Sequence, residues 1–194
     1  MDQQQVYILS GGQSRRFGSD KGRATIQGKP SLVWQADYWK SHGREVFVVT
    51  SHLDVYEDLN LPTVADPVPF EGPLSGIATA LTHFANRNAG NRCWISSCDL
   101  LAIPEPLIGN LCMASQSDDS WVTVMETEQI QPFPGIYDLA ILPIVENLLA
   151  HGERSLRSLW EKLGSRLTRY AATNQDRIVQ FNTPEEWSSG SPLQ

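Results

Sequence analysis

Cysteine is scarce in this sequence. There are three cysteines among 194 residues, and Cys93, Cys98 and Cys112 form neither a CxxC pair nor a metal-ligand pattern. We therefore expect reduced thiols that pack as small apolar groups rather than a disulfide framework. This use of cysteine is typical of a reducing compartment and favours a cytoplasmic protein.

Long apolar runs and a targeting pattern are also missing. No apolar run approaches the roughly 20 residues that a membrane-spanning helix needs. Residues 1–5, MDQQQ, lack a basic segment followed by an apolar one, so we expect no signal peptide. The four histidines show no metal-ligand spacing. The sequence thus predicts neither a membrane partner nor a histidine-bound metal.

Positive charge is in deficit overall but concentrated locally. The chain has 15 basic and 22 acidic residues, which argues against a nucleic-acid partner or an extended membrane surface. Five basic residues nevertheless crowd into one stretch: Arg15, Arg16, Lys21, Arg23 and Lys29. A basic run is usually a solvated face. Because this one coincides with a glycine-rich loop, it favours a site for a small polyanion such as a phosphate.

The apolar pattern predicts strands that alternate with helices. We predict strands over residues 6–9, 46–50, 94–99 and 122–125, a short strand ending near residue 66, and a brief extended segment at 24–27. We predict one helix that is capped by Ser31 and another that follows Pro104. Three more helices are predicted over residues 74–84, 138–149 and 155–163. This alternation indicates an α/β fold, a single-domain Rossmann-like three-layer sandwich with a mostly parallel sheet. We expect one domain over residues 1–187 and a flexible tail over 188–194.

Three predicted strands end in residues suited to ligand binding. The first leads into the glycine-rich loop, the third ends at Asp66 and the fourth ends at Asp99. In parallel α/β sheets the ligand crevice lies outside the carboxyl ends of the strands. We therefore expect the loop and the two aspartates to converge on one site.

The loop over residues 11–21 fits neither the GxxxxGK[ST] nor the GxGxxG phosphate-binding pattern. Its glycines permit positive φ and close backbone approach, so that backbone amides can line a phosphate or a base. Arg16 and Lys21 add positive charge. By composition alone, an ordinary surface turn remains an equal interpretation.

The complete sequence pattern of this loop is more specific to one protein family than its glycines alone. Residues 9–21, LSGGQSRRFGSDK, resemble the N-terminal signature of the molybdenum cofactor guanylyltransferases, roughly LAGGxSxRMGxDK. Ser10 replaces the usual alanine and Phe17 the usual methionine. Residues 72–77, 97–104, 152–154 and 181–186 are similar, in the same order, to the family's GPLAG, PCDxPxxP, GxR and NTPE motifs.

The resemblance implies a magnesium-dependent nucleotidyltransferase that moves GMP from GTP to the terminal phosphate of molybdopterin and releases pyrophosphate. It implies cofactor-biosynthesis proteins and recipient molybdoenzymes as further partners. The implied catalytic residues are Lys21, Asp99 and Arg16, with Asp99 also the Mg²⁺ ligand. The implied nucleotide-binding residues are Leu9, Ser10, Gly11, Gly12, Lys21, Thr50, Asp66, Gly76 and Asp99. Arg154 and Asn182 are the implied molybdopterin-binding residues.

Each of these residues also has a purely structural interpretation. Asp66 and Asp99 could cap helices, Gly76 could permit close helix packing, Arg154 could form a solvated pair with Glu153, and Asn182 could shape a turn. For the whole protein, the alternatives are a transferase that uses CTP or a sugar phosphate, and a catalytically silent nucleotide-binding subunit. The presence of both Lys21 and Asp99 favours an enzyme. Glycine at position 11 favours GTP, because the cytidylyl relatives tend to carry alanine there.

Overall fold

The computed structural model describes residues 4–10, 20–26, 28–51, 53–67, 72–117 and 119–181. Its strands are β1 (Gln5–Leu9), β2 (Thr25–Ile26), β3 (Lys29–Pro30), β4 (Glu45–Thr50), β5 (Thr63–Ala65), β6 (Arg92–Ser97), β7 (Leu100–Ala102), β8 (Val122–Glu126), β9 (Ile130–Asp138), β10 (Leu167–Ala171) and β11 (Val179–Gln180). Its α-helices are α1 (Ser31–Ser41), α2 (Pro73–Asn86), α3 (Glu105–Ala114), α4 (Leu142–Ala150) and α5 (Leu156–Leu163). Short 3-10 segments include Lys21–Arg23 and Leu53–Leu59.

A seven-stranded sheet forms the centre of the molecule, in the order β10-β8-β9-β6-β1-β4-β5. The pairings of β1 with β4, β1 with β6, β4 with β5 and β8 with β10 are parallel. Only β9 within this sheet runs antiparallel to its neighbours, β6 and β8. The predicted mostly parallel α/β fold is confirmed. Two small antiparallel pairs, β2 with β3 and β7 with β11, lie outside this sheet.

Apolar side chains cover both faces of the sheet because successive strand residues point in opposite directions. In β4, Phe47 and Val49 join one core cluster, whereas Val46 and Val48 join the other. The first cluster also contains buried residues of α2, α4 and α5. The second contains buried residues of α1 and α3. The sheet is therefore the middle layer of three.

Three predicted element boundaries were wrong. The strand predicted over residues 94–99 is β6, which ends at Ser97, so Asp99 lies in the turn that follows it. Ser31 is the first residue of α1 rather than its cap, and its hydroxyl donates a hydrogen bond to the Lys21 carbonyl oxygen at 2.5 Å. The helix predicted over 138–149 begins only at Leu142, because Asp138 is the last residue of β9 and a 3-10 turn, Leu139–Ile141, intervenes. Pro143 falls in the first turn of α4, where a missing backbone N–H does no harm.

The longest helix in the described part of the chain is α2, with 14 residues. No helix there is long and apolar enough to cross a membrane.

Candidate functional site

The carboxyl ends of four neighbouring strands, β6, β1, β4 and β5, form one edge of the sheet. Backbone hydrogen bonds continue the strand pairing just past this edge: Cys98 N to Leu9 O at 3.1 Å, Ser10 N to Val49 O at 2.8 Å, and Asp66 N to Thr50 O at 2.7 Å. The segments that carry four of the predicted site residues therefore leave the sheet side by side. Along the edge these residues follow the order Asp99, Ser10, Thr50, Asp66.

Lys21 and Asp99 form an ion pair at this edge. The Lys21 Nζ lies 3.7 Å from the Asp99 Oδ2, and the two side chains are 15% and 22% exposed. Lys21 Nζ also donates a hydrogen bond to the Phe181 carbonyl oxygen at 3.1 Å and lies 5.6 Å from the centroid of the Phe181 ring. The structure thus brings together two residues that are 78 positions apart in the sequence, at a position still open to a ligand.

Local geometry holds Lys21 in place. It is the first residue of the 3-10 turn Lys21–Arg23, and Asp20 caps that turn by accepting a hydrogen bond from the Gly22 backbone N–H at 2.8 Å. The Lys21 carbonyl oxygen accepts the bond from Ser31 at the start of α1. The backbone at Lys21 is therefore fixed from both sides.

The opposite partner, Asp99, lies in the turn between β6 and β7. Because β7 pairs with β11, the turn is joined to the segment around Phe181, whose backbone N–H donates to the Asp99 carbonyl oxygen at 3.0 Å. Phe181 is completely buried in a small apolar cluster with Ile26 and Leu101. Phe181 could not be recognised as a site residue from the sequence, since its contact with Lys21 spans 160 positions.

Asp66 is almost fully buried, 8% exposed, and points to α2. Its Oδ1 accepts hydrogen bonds from the Ser75 hydroxyl at 2.7 Å and from the Thr79 hydroxyl at 3.2 Å. These contacts support a structural role, in which Asp66 fastens α2 against the sheet edge through side-chain hydroxyls.

Gly76 lies in the second turn of α2, where the helix passes close to the end of β1. A Cβ at this position would lie 3.2 and 3.3 Å from the two methyl carbons of Leu9. The lack of a side chain therefore lets α2 approach the strand. This contact supports the packing interpretation of Gly76 and places it beside another predicted site residue.

Thr50, the last residue of β4, is 1% exposed. Its Oγ1 is buried and has no hydrogen-bond partner within the described ranges. Buried hydroxyls are nearly always paired, and leaving one unpaired costs about 1–3 kcal/mol. Thr50 therefore provides an unused hydrogen-bonding group at the sheet edge, directly beside Ser10.

Ser10 takes part in a side-chain hydrogen-bond chain. Its Oγ lies 2.7 Å from the hydroxyl oxygen of Tyr56, and the Tyr56 hydroxyl donates to the Asp20 Oδ1 at 2.8 Å. Burial raises the pKa of Tyr56 well above its usual value, so this hydroxyl stays protonated. Tyr56 could not be recognised as a site residue from the sequence, because a lone tyrosine in a polar segment forms no recognisable pattern.

Cys98 lies between Ser10 and Asp99 at the edge. Burial, assisted by the negative charge of Asp99, raises the pKa of the Cys98 thiol to about 12. A thiol with such a pKa is protonated at neutral pH, and the thiolate is the nucleophilic form. Cys98 therefore does not supply a nucleophile.

Arg154 lies near the start of α2. A Cβ on Gly72, the residue that precedes this helix with φ of 84°, would be 3.2 Å from the Arg154 carbonyl oxygen. The Arg154 guanidinium donates from Nη1 to the carbonyl oxygens of Leu149 and Glu153, both at 3.0 Å. The remaining predicted residues, Gly11, Gly12, Arg16 and Asn182, lie outside the described residues.

Within the ranges that the structure describes, no group of three or more histidine, cysteine or acidic side chains could hold a metal ion. Taken with the fold, these features define an α/β protein with a cationic and a carboxylate group poised at the carboxyl edge of its sheet.

Comparison with known proteins agrees with this class. The family described as MobA-like NTP transferase domain matches residues 6–167. The chain belongs to this family and is a nucleotidyltransferase. The resemblance noted in the sequence is thereby confirmed.

Relatives that match nearly the whole chain are named molybdenum cofactor guanylyltransferases. A molybdenum cofactor guanylyltransferase from Aliivibrio salmonicida is 27% identical over 181 residues, 92% of this chain and 91% of that protein. A probable molybdenum cofactor guanylyltransferase from Opitutus terrae is 30% identical over 186 residues, 92% of this chain and 90% of that protein. The crystal structure of molybdopterin-guanine dinucleotide biosynthesis protein A from Archaeoglobus fulgidus has the same fold, with a TM-score of 0.80 at 18% identity over 96% of each chain.

Proposed function

We propose that this protein transfers GMP from GTP to the terminal phosphate of molybdopterin, with release of pyrophosphate. The names of relatives that match more than nine-tenths of this chain support this reaction. The observation that carries it is the partly buried Lys21–Asp99 pair at the carboxyl edge, at the end of the glycine-rich loop.

The proposed reaction requires no covalent intermediate with the protein. An oxygen of the molybdopterin phosphate forms a bond to the α-phosphorus of GTP. The bond from that phosphorus to the oxygen bridging to the β-phosphate breaks, and its electron pair leaves with pyrophosphate. A phosphate monoester is already a nucleophile near neutral pH, so neither a strong base nor a cysteine nucleophile is needed. The barrier lies in bringing polyanions together, and positioning and electrostatics lower it.

Lys21 is suited to the electrostatic part of this task. The Lys21 side chain is only 15% exposed, so its charge is less screened by water than that of a surface lysine. The contact with the Phe181 carbonyl fixes its direction. In the proposed complex, Lys21 donates to the triphosphate, and Arg16 adds a second positive charge.

Asp99 fits the proposed Mg²⁺ site. Mg²⁺ is commonly held by one or two carboxylates together with substrate phosphates rather than by a cage of protein ligands. The Asp99 side chain is 22% exposed, and its carboxylate lies beside Lys21, which we place on the same phosphates. When bound, Mg²⁺ offsets the negative charge of the phosphates.

The rest of the proposed nucleotide pocket follows the sheet edge. The backbone of Leu9, Ser10, Gly11 and Gly12 holds guanine and phosphates. Thr50, whose buried hydroxyl has no partner among the described residues, lies beside Ser10 at the same edge. Asp66 and Gly76 act on the pocket chiefly by holding α2 close to the edge. Arg154 and Asn182 remain our proposed contacts for molybdopterin, and a cytoplasmic location and the protein partners remain proposals.

The reaction is tested with purified protein, molybdopterin, Mg²⁺ and either GTP or CTP, by measuring pyrophosphate and the dinucleotide product. Asp99→Asn and Lys21→Ala should each lower kcat/KM for GTP by about 100-fold or more, as expected for loss of a charge that stabilises the transition state. Asp119→Asn and Lys40→Ala, at exposed positions, are matched controls that should leave activity unchanged.

Near-normal turnover of Asp99→Asn at saturating Mg²⁺ would contradict the metal assignment. A preference for CTP would favour the cytidylyl alternative. No transfer with either nucleotide, despite nucleotide binding, would favour a catalytically silent subunit.

A further inference from the structure

Tyr56 joins two parts of the candidate site that are distant in sequence. Its hydroxyl contacts Ser10 at the end of β1 and Asp20, which caps the turn that carries Lys21. Ser10 and Asp20 lie 46 and 36 positions from Tyr56. One hydroxyl thus links the sheet edge to the lysine-bearing turn.

The direction of both hydrogen bonds follows from counting protons. An ionised carboxylate can only accept, and a tyrosine hydroxyl carries a single proton. Tyr56 therefore gives its proton to Asp20, and Ser10 must donate its own proton to the Tyr56 oxygen. The bond to Asp20 has a charged acceptor, and bonds of this kind are about twice as strong as those between neutral groups.

Burial and contacts with neighbouring residues hold the Tyr56 side chain in place. The side chain is 2% exposed. A Cβ at Gly22 would lie 2.7 Å from the Tyr56 hydroxyl oxygen, so glycine at that position is what leaves room for the contact. Arg23 lies over the Tyr56 ring at 5.7 Å and binds the flanking Asp58 at 2.7 and 2.9 Å.

We propose that Tyr56 is a positioning residue, which sets the place of Lys21 relative to the end of β1 through its two hydrogen bonds. This inference deepens the proposed function and rests on it. Half of the bridge depends on Ser10, which stands where the family signature usually has alanine. The Ser10 half of the bridge therefore rests on a residue at which this chain departs from the family signature, whereas Asp20 belongs to that signature.

The experiment removes one oxygen atom. Tyr56→Phe should lower kcat/KM for GTP about tenfold, the size expected when a hydrogen bond to a charged group is lost. Tyr38→Phe is the matched control: within the described ranges the Tyr38 hydroxyl is also buried but has no hydrogen-bond partner. This control should leave kcat/KM unchanged.

A double-mutant cycle shows whether Tyr56 acts through Lys21. If it does, Tyr56→Phe should change the rate less than twofold when introduced into a Lys21→Ala background, by the usual non-additivity of coupled residues. Equal effects in both backgrounds would mean that Tyr56 only stabilises the fold, and would overturn the proposal. Ser10→Ala removes the other hydrogen bond and serves if Tyr56→Phe fails to fold: it should lower kcat/KM for GTP by less than tenfold, and this loss should likewise shrink in the Lys21→Ala background.

Hydrogen exchange separates failure of this inference from failure of the proposed function. The Gly22 amide donates to the same Asp20 oxygen as Tyr56, so its exchange should be faster in Tyr56→Phe than in the Tyr38→Phe control. If the wild-type protein transfers no GMP, the proposed function fails while the exchange still reports whether Tyr56 holds the turn. Unchanged exchange at Gly22 would overturn the positioning role.

Discussion

Gly22 is the residue at which adding one methyl group should destabilise the protein most clearly. Its backbone is not left-handed, so the requirement for glycine is one of space. A Cβ would lie 2.7 Å from both the Tyr56 hydroxyl and a methyl carbon of Leu32, and both side chains are buried. Since neither neighbour can move into solvent, overpacking at this point must shift the turn that carries Lys21.

We expect Gly22→Ala to lower the free energy of unfolding by about 2 kcal/mol, a typical cost of overpacking. Urea denaturation followed by far-UV circular dichroism measures it. Gly109→Ala is the control, because Gly109 is in the exposed part of α3 with nothing within 4 Å of a Cβ. There alanine should stabilise the protein by about 0.5–1 kcal/mol through its higher helix propensity. Equal effects at both positions would refute the steric argument.

Asp176 is the residue with the clearest expected pH dependence. It is completely buried, and its carboxylate accepts hydrogen bonds from Asn110, Tyr170 and both the backbone N–H and hydroxyl of Thr173. Burial raises the pKa of this carboxyl, but the hydrogen bonds outweigh burial and leave the pKa below its usual value. A carboxyl whose folded pKa is lowered stabilises the fold above the unfolded pKa, and this contribution is lost as the pH falls.

Asp176→Asn should therefore lower the free energy of unfolding by about 2 kcal/mol at pH 7, and the difference from wild type should shrink as the pH falls below about 4. Urea titrations of both proteins between neutral and acidic pH measure this difference. A difference that is constant with pH would show that the charge of Asp176 is unimportant.

At the scale of elements, the short strand β11 contributes to the site although it lies outside the central sheet. Its pairing with β7 delivers Phe181 to the Lys21–Asp99 pair. We expect Phe181→Ala to lower kcat/KM for GTP by about 10- to 100-fold, because small displacements of a catalytic group have effects of that order. Val179→Ala, within β11 and packed against the same apolar cluster, should reduce activity much less.

Steady-state kinetics and thermal denaturation of both variants test this role. Parallel losses of activity and stability in both variants would mean that β11 acts only by stabilising the fold.

The elements that the sequence predicted well are those with strong local patterns. The strands β1, β4, β6 and β8, the helix α2 and the amphipathic α5 were all predicted within a few residues, since each carries a run or stripe of apolar side chains. The strand β9 was not predicted, because Pro132 and Pro134 argue against a strand that lies inside a sheet. Its proline-bearing half lies where the pairing with β8 shifts register, and its pairing with β6 begins only at Gly135.

The same distinction applies to the site. Lys21 and Asp99 belong to local motifs and could be predicted, and the order of strands at a parallel edge explains why they meet. Tyr56 and Phe181 could not be predicted, because their contacts with the site depend on which distant segments the tertiary structure brings together.

At the scale of the whole molecule, the two apolar cores share the strands between them. Val48 and Val49 are adjacent in β4, both are at most 2% exposed, and they belong to opposite cores. Loss of either core therefore exposes the same strands. We infer that the layers unfold together.

Val48→Ala and Val49→Ala should each lower the free energy of unfolding by about 2 kcal/mol. In both variants, urea transitions followed by tryptophan fluorescence and by circular dichroism should coincide. The fluorescence reports on both faces, since Trp39 and Trp94 lie in one core and Trp121 and Trp160 pack against the other. Transitions that separate in either variant would show that one face unfolds alone.

The contact between Lys21 and Phe181 has a consequence for the protein while it is being made. The ribosome adds the carbonyl group that contacts Lys21 only 160 residues after Lys21 itself. The six central strands from β1 to β9 can pair before that residue exists, and β10 also precedes it. A growing chain can thus acquire its sheet without yet having an oriented lysine, so competence for nucleotide transfer should arise only as synthesis passes Phe181.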